Sequence, residues 1–337
     1  NGAMNVAQRG TSTTGLGANG ANYSTVDRFY TYANGTAGRF TMTQDSSAPD
    51  GFANSLKLDC TTADTSIAAA EQLVLAQVIE GQNLQHLNKG TSSALPVAVS
   101  FYVKGNASAT YMCALIDNDN SRMSTKQFSV TTDWTRITIN VPADTTGALD
   151  DDNAGSFNLN FYLHAGSNLT GGTYTASTWG ASTDANRAVG ISSFFDSTDR
   201  TFFLTGVQLE VGQNATEFEH EPVERTLAKC QRYYQRWQAN TAYDAVCVGQ
   251  MTTDIFWVGQ YRLAPEMKAE PTLSSNGTFK VNASNSDMDA SSIALARATP
   301  QIVSIECATT DADRQGQGAY MRAGDDSDAF IEFISEL

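Results

Sequence analysis

Along its first two thirds the chain alternates apolar and polar residues with a period of two, the mark of strands with one face in a core and one in water. The apolar positions fall at Phe40 and Met42; at Leu56, Leu58 and Cys60; at Val97, Val99, Phe101 and Val103; at Ile137, Ile139 and Val141; and at Phe157, Leu159, Phe161 and Leu163. Turn formers separate the runs, as in Pro49-Asp50-Gly51, Lys104-Gly105-Asn106, Asp117-Asn118-Asp119-Asn120 and residues 144–147. Many short strands so punctuated predict an all-β protein that begins with a jelly-roll β-sandwich.

At 337 residues the chain is long enough for two cores. A last buried strand over 201–211, with Phe203, Val207, Leu209 and Val211, closes the first domain, read as 1–223. Leu227, Cys230, Tyr234 and Trp237 then fall three to four apart among Lys229, Arg232 and Arg236, which predicts a short linker helix within 224–240. Strand-like runs at 243–248, 254–263, 278–282, 302–307, 319–322 and 329–334 predict a smaller C-terminal β domain over 241–337. Pro265, Pro271 and Pro300 belong at its turns or edges.

Charge narrows the partners. With 21 basic and 36 acidic residues the formal net charge is -15, so phosphate backbones and anionic headgroups repel the chain, and any glycan must be held by hydrogen bonds and aromatic faces. No nucleic-acid partner is expected. No apolar run is long enough to span a bilayer and the first residues carry no signal-peptide pattern, so a soluble protein without membrane insertion is expected. Cys60, Cys113, Cys230, Cys247 and Cys307 are odd in number, far apart and without a Cys-x-x-Cys pair, so reduced thiols are expected in place of a disulfide framework or a zinc site.

Catalytic chemistry finds little footing. Glu217, Glu219 and Glu221 alternate along one extended segment, and spacing of two merely points side chains to one face. The acidic loop Asp150, Asp151 and Asp152 offers oxygens of the kind calcium takes, but a solvated turn accounts for it better, as it does for 117–120. His86, His164 and His220 stand far apart with no neighbouring ligand or nucleophile motif, and no phosphate-binding glycine loop is present. No cofactor and no catalytic residue is expected. Trp134, at a strand start, and Trp257, inside an apolar strand, read as core residues. Trp179 and Tyr174 lie instead in a polar loop without alternation, where a ring serves either as a sugar platform or as a cap on the sandwich end. Tyr233, Tyr234 and Trp237, with Arg232 and Arg236 beside them, are expected on a helix too short to be stable alone, so their rings are predicted to pack at an oligomer interface.

Several blocks carry a resemblance. Asn1-Gly-Ala-Met-Asn-Val-Ala-Gln-Arg-Gly-Thr-Ser12, then Tyr23-Ser-Thr-Val-Asp-Arg-Phe29, resembles the start of phage and prophage tail-fibre or virion structural proteins. Gln77-Val-Ile-Glu-Gly81 leading to Val99-Ser-Phe-Tyr-Val-Lys-Gly105, and Asp133-Trp-Thr-Arg136, resemble strands of carbohydrate-binding-module-like jelly rolls in that family. The most specific block is Leu204-Thr-Gly-Val-Gln-Leu-Glu-Val-Gly212 followed by Ala215-Thr-Glu-Phe-Glu219 and Cys230-Gln-Arg-Tyr-Tyr234. Pro265-Glu-Met-Lys-Ala-Glu-Pro271 and Ile334-Ser-Glu-Leu337 extend it toward the C-terminus, while 143–195 matches only loosely. The resemblance implies a bacteriophage appendage of fibre or spike type, a homotrimer assembled in the host bacterial cytoplasm and carried on the virion among other virion proteins. Host attachment through a surface glycan, without catalysis, is the expected role. A head decoration, a purely architectural virion protein and a polysaccharide depolymerase are the alternatives.

Overall fold

The computed structural model of the protein describes residues 1–310 and 314–337. The chain divides into two compact units, Asn1–Thr226 with Leu337, and Leu227–Glu336.

The first unit pairs a six-stranded sheet with a seven-stranded one. The first sheet runs Ser12–Leu16, Arg39–Asp45, Ser55–Thr62, Thr201–Val211, Val97–Gly105, Thr135–Val141 in spatial order. Gly180–Ala181, Arg122–Val130, Ala109–Asp117, Gly155–Ala165, Gln72–Glu80, Tyr30–Asn34 and Gly20–Asn22 make the second. Every ladder in both sheets is antiparallel. The alternating positions face one another across the sandwich: Phe40, Leu56, Val99, Phe101 and Leu204 from one sheet share a core with Leu73, Leu75, Tyr111, Phe157 and Phe161 from the other. Phe101 sits at its centre, edge-on to Phe128 at 5.1 Å and Phe161 at 5.0 Å. Burying such a ring stabilises by roughly 1.5–3 kcal/mol, and each edge-to-face pair adds about 0.5–1.5 kcal/mol.

Two strands of this unit do not show the alternation. Gln72–Glu80 and Ala109–Asp117 are nearly continuous apolar runs because both of their faces are covered. Leu73 and Leu75 join the inter-sheet core, while Val74 and Ala76 join Met112, Ala114, Tyr162, Leu169 and Ala188 in a second cluster outside the sheet. The cover comes from the loop-rich segment after Ala165, which contributes Leu169, Ala188 and the partly buried Tyr174 and Ile191.

The helix expected within 224–240 is shorter and followed by a strand. It spans Val223–Gln231, so the division between the units falls inside it, and Tyr234–Gln238 is extended and pairs with Phe330–Ile334. Periodicity misled here because Tyr234 and Trp237 fit both a further helical turn and an aromatic-rich strand, and the available ladder decided between them. The strand places Tyr234 opposite Ile334 and Trp237 opposite Ile331.

In the second unit, Tyr234–Gln238, Phe330–Ile334 and Thr272–Asn276 form a three-stranded sheet. Ala245–Thr253, Phe256–Arg262, Ile302–Thr309, Ser286–Ala298, Phe279–Ala283 and Gly318–Ala323 close into a six-stranded barrel. Its interior is packed with Met251, Trp257, Phe279, Val281, Ile305 and Met321, as side chains fill a barrel of so few strands. Among the described residues no helix is long and apolar enough to cross a membrane.

Candidate functional site

Residues 173–186 fold back over the edge strand Arg122–Val130, held by the short strand Gly180–Ala181 opposite Met123 and Arg122. Threonine and asparagine lack the apolar area to sink into a core, so this segment stays at the surface and leaves a groove of about 220 Å³. Thr125, Thr173, Thr175, Thr178, Thr183 and Asn186 line it, with Trp179 and Met123 as its apolar part. These side chains offer hydroxyls and an amide beside an indole, and the lining contains no carboxylate, imidazole or thiol. Such a surface suits a ligand that is polar at its rim and apolar on its faces.

Trp179 is held firmly. Its Nε1 donates to the Pro142 carbonyl at 2.8 Å, its ring lies 6.0 Å from that of Phe157, and it is half-buried against the inter-sheet core. It therefore caps the sandwich end as well as lining the groove, and is not the free-standing platform that is one of its two sequence readings. Tyr174 is displaced from the site: its hydroxyl accepts the Gln127 backbone N–H at 3.0 Å and its ring packs on the outer apolar cluster, outside the lining.

Beneath Trp179 lies a buried ionic network. Lys89 Nζ sits 5.3 Å from the indole centroid and pairs with Asp117 and, at 3.1 Å, with Asp144. It also donates to the carbonyls of Thr146 and Gly147, both at 2.9 Å. Arg122 adds a two-pronged contact to Asp144, with Nε at 2.7 Å and Nη2 at 3.0 Å. Burial alone would raise the Asp144 carboxyl, but hydrogen bonds from Arg122, Lys89 and the Thr146 N–H outweigh it and hold that carboxyl below its usual range. Asp117 Oδ1 also accepts the Asn120 N–H at 3.0 Å, so residues 117–120 are a turn between strands Ala109–Asp117 and Arg122–Val130. The network touches the groove through the Trp179 ring alone, and each of its carboxylates is occupied by a cation.

A second buried polar cluster was not foreseen from the sequence. His164, fully buried, places Nε2 3.4 Å from Glu71 Oε2, with Asp64 beside them; among the described residues this is the single group of three potential metal ligands. Burial pushes His164 below its ordinary value, against Glu71 and Asp64, which pull it up. For Asp64, burial is outweighed by hydrogen bonds from the Thr36 hydroxyl at 2.8 Å and from the N–H groups of Ala37 at 2.7 Å and Ser66 at 3.3 Å, which hold its carboxyl low. A histidine far in sequence from any second ligand gives no signal, so nothing in the chain singled out His164.

The remaining candidates are scattered. Asp150, Asp151 and Asp152 are exposed and join no ligand group among the described residues; Asp152 Oδ1 caps its own turn through the Ala154 N–H at 2.9 Å. His86 and His220 are exposed, His220 stacking edge-on with Phe218 at 4.9 Å. Trp134 is half-buried 6.0 Å from Phe203 instead of in the core, whereas Trp257 is fully buried in the barrel. Burial pushes the Cys60 thiol up to about 11 and those of Cys247 and Cys307 up to about 12, which keeps them protonated and poor nucleophiles at neutral pH. Of the residues expected at an oligomer interface, Tyr233 and Tyr234 are 7% and 1% exposed inside the second unit. Trp237 is partly buried against the barrel core, and Arg236 lies 3.8 Å from the Phe330 ring and 3.6 Å from Glu332. Arg232 is half-buried, its carbonyl accepting the Lys268 N–H at 2.7 Å.

Comparison with protein families and with curated proteins finds no match. Among solved structures, the enzymatically active domain of tailspike protein 4 of bacteriophage CBA120 is 12% identical with a TM-score of 0.32, over 55% of this chain and 19% of that one. The chain thus matches about a fifth of that tailspike. A family 11 carbohydrate-binding module of a Clostridium thermocellum cellulase is 11% identical with a TM-score of 0.30, over 59% of this chain and 99% of the module. The tandem CBM22-1 and CBM22-2 domain of Paenibacillus barcinonensis Xyn10C is 11% identical with a TM-score of 0.29, over 98% of both chains.

Proposed function

We propose that this chain is a structural and glycan-recognising component of a bacteriophage appendage, one that holds a host-surface sugar in the Trp179 groove without cleaving it. The observation that carries the reading is the groove itself: threonine hydroxyls and the Asn186 amide line it together with the indole of Trp179, which is held by the Pro142 carbonyl. Sugar hydroxyls exchange hydrogen bonds with such side chains, while an apolar sugar face packs on the ring. Cleavage of a glycosidic bond calls for two carboxyl groups flanking it, and the groove lining supplies neither. The acidic chain adds no long-range attraction for a polyanion, so the ligand is a neutral glycan.

Within this reading the protein is a homotrimer on the virion, assembled in the bacterial cytoplasm, where weak single-site contacts multiply through effective concentration. An array of neutral bacterial surface glycans tests the binding. Thr175→Arg and Thr178→Arg fill the groove from exposed positions and are expected to abolish retention while leaving the melting temperature unchanged. Background signal for the unaltered protein on every glycan would favour a purely architectural role, and product accumulating with time would favour a depolymerase.

A further inference from the structure

We propose that Asp64, Glu71 and His164 form a binding site for a divalent transition-metal ion, with zinc as the ion that best fits the donor set. The three ligand atoms lie within 4.8 Å of one another. Zinc bound at about 2.0–2.1 Å in a tetrahedron sets its donor atoms roughly 3.3–3.4 Å apart. His164 Nε2 and Glu71 Oε2 already stand at 3.4 Å, long for a hydrogen bond to a carboxylate and equal to that tetrahedral edge. A fourth position falls to water, because Glu71 keeps a side-chain exposure of 8% while the imidazole has none.

Charge points the same way. Two carboxylates are buried here, and among the described residues no lysine or arginine pairs with either of them. Asp64 is held by hydrogen bonds and no cation, so a dication bound to the imidazole and both carboxylates supplies the charge that the site lacks. The surroundings also hold the ligands in place, as outer partners do in metal sites. His164 Nδ1 is 2.8 Å from Ser193 Oγ, which in turn accepts the Phe195 N–H at 3.0 Å, so the ring is fixed with Nε2 toward the carboxylates. Asp64 is oriented by Thr36, Ala37 and Ser66.

The fold brings these residues together by an irregularity. Strict alternation along Gly155–Ala165 would send His164 to the outer face with Tyr162. A register shift between Tyr162 and His164 sets His164 opposite Leu73, on the face of the inter-sheet core. Asp64 follows the first-sheet strand Ser55–Thr62, and Glu71 immediately precedes the second-sheet strand Gln72–Glu80. The ion therefore links the two sheets at one end of the sandwich. Calcium is a poor fit, since it takes six to eight oxygens and has no use for an imidazole.

The test uses the full chain, stripped with a chelator and titrated with zinc chloride. One zinc per chain with a raised melting temperature of the first unit is the expected result, with no comparable response to calcium chloride. His164→Gln and Glu71→Gln should each weaken binding by at least about 100-fold, and Ser193→Ala by roughly 10–100-fold. A chelator-treated chain whose melting is indifferent to zinc would reduce the cluster to a hydrogen-bonded histidine and glutamate and overturn the site. Zinc binding undiminished in a folded His164→Gln chain would do the same, placing the ion elsewhere. Should the substituted chains fail to fold, cobalt chloride added to the unaltered chain decides: an intense visible band of four-coordinate cobalt supports the site, and the weak spectrum of six-coordinate cobalt counts against it.

Discussion

Lys89 is the side chain at the centre of the buried ionic network beneath Trp179. Only 4% of it is exposed, and its ammonium is shared by Asp117, Asp144 and two backbone carbonyls. Replacing it by methionine keeps the volume but leaves Asp117 buried without its cation, while Asp144 keeps Arg122, a change of about 3–5 kcal/mol when one partner of a buried pair is lost. Lys89→Met is therefore expected to lower the stability of the first unit by that order in urea unfolding at neutral pH, against a few tenths of a kcal/mol for the loss of an exposed surface lysine. Part of the pH dependence follows from Asp144, whose carboxyl is held below its ordinary range by Arg122 first and then by Lys89. Its contribution is complete above the unfolded value of about 3.9 and disappears as pH falls through the lower folded value. The difference between the two proteins should thus be constant from pH 7 to about 5 and narrow below pH 4. A gap that stays constant to pH 2 would mean that the lysine stem, and not its charge, supports the fold.

At the scale of elements, the barrel strand Phe256–Arg262 shows how a small residue secures a large one. A Cβ on Gly259 would come within 2.3 Å of the Trp257 indole and 2.8 Å of the Val248 carbonyl, and Trp257 is completely buried. Gly259→Ala forces the ring or the neighbouring strand to move, at a cost of about 1–3 kcal/mol for an overpacked core. Near-ultraviolet circular dichroism should report the displaced indole, and unchanged stability would show that the barrel relaxes around it. The segment 223–238 illustrates a different rule. Its apolar spacing permitted a helix throughout, yet the exposed ladder of Phe330–Ile334 drew Tyr234–Gln238 into a strand. Local preference decides an element only where no partner strand competes.

For the whole molecule, the two units have separate cores, so their stabilities should respond separately. Scanning calorimetry of the chain is expected to resolve two transitions, with Lys89→Met shifting one and Gly259→Ala the other; both substitutions moving a single shared transition would show the units unfold together. Assembly belongs to this scale too. Tyr233 and Tyr234 are buried inside their own unit, so the exposed apolar side chains of the barrel are where the proposed trimer is tested. Val248 is 75% exposed there and Ile302 44%, and both line a groove of about 700 Å³ together with Gly249 and Gly259. Light scattering should find a trimer that Val248→Lys with Ile302→Lys dissociates, since a lysine at an apolar contact is strongly disfavoured. A monomer at micromolar concentration would remove the assembly from the reading.

What the chain declares by itself are those features in which neighbouring residues carry the information. Alternation over Arg39–Asp45 and Thr135–Val141 marks strands with a single buried face, and the turn residues at 117–120 close a hairpin through their own hydrogen bonds, but in Thr201–Val211 the buried apolar side chains are Phe202, Leu204 and Val207, not the expected Phe203, Leu209 and Val211. Where both faces are covered, as in Gln72–Glu80, the period fades and only the packed structure shows which residues look inward. The same distinction governs the sites. Trp179 was legible because a tryptophan in a polar loop stands out locally, while its bond to Pro142 and its place over Lys89 depend on residues brought from elsewhere in the chain. Asp64, Glu71 and His164 became a cluster only through a shifted register and the closure of two sheets, because a ligand set assembled across a sandwich has no sequence spacing to read.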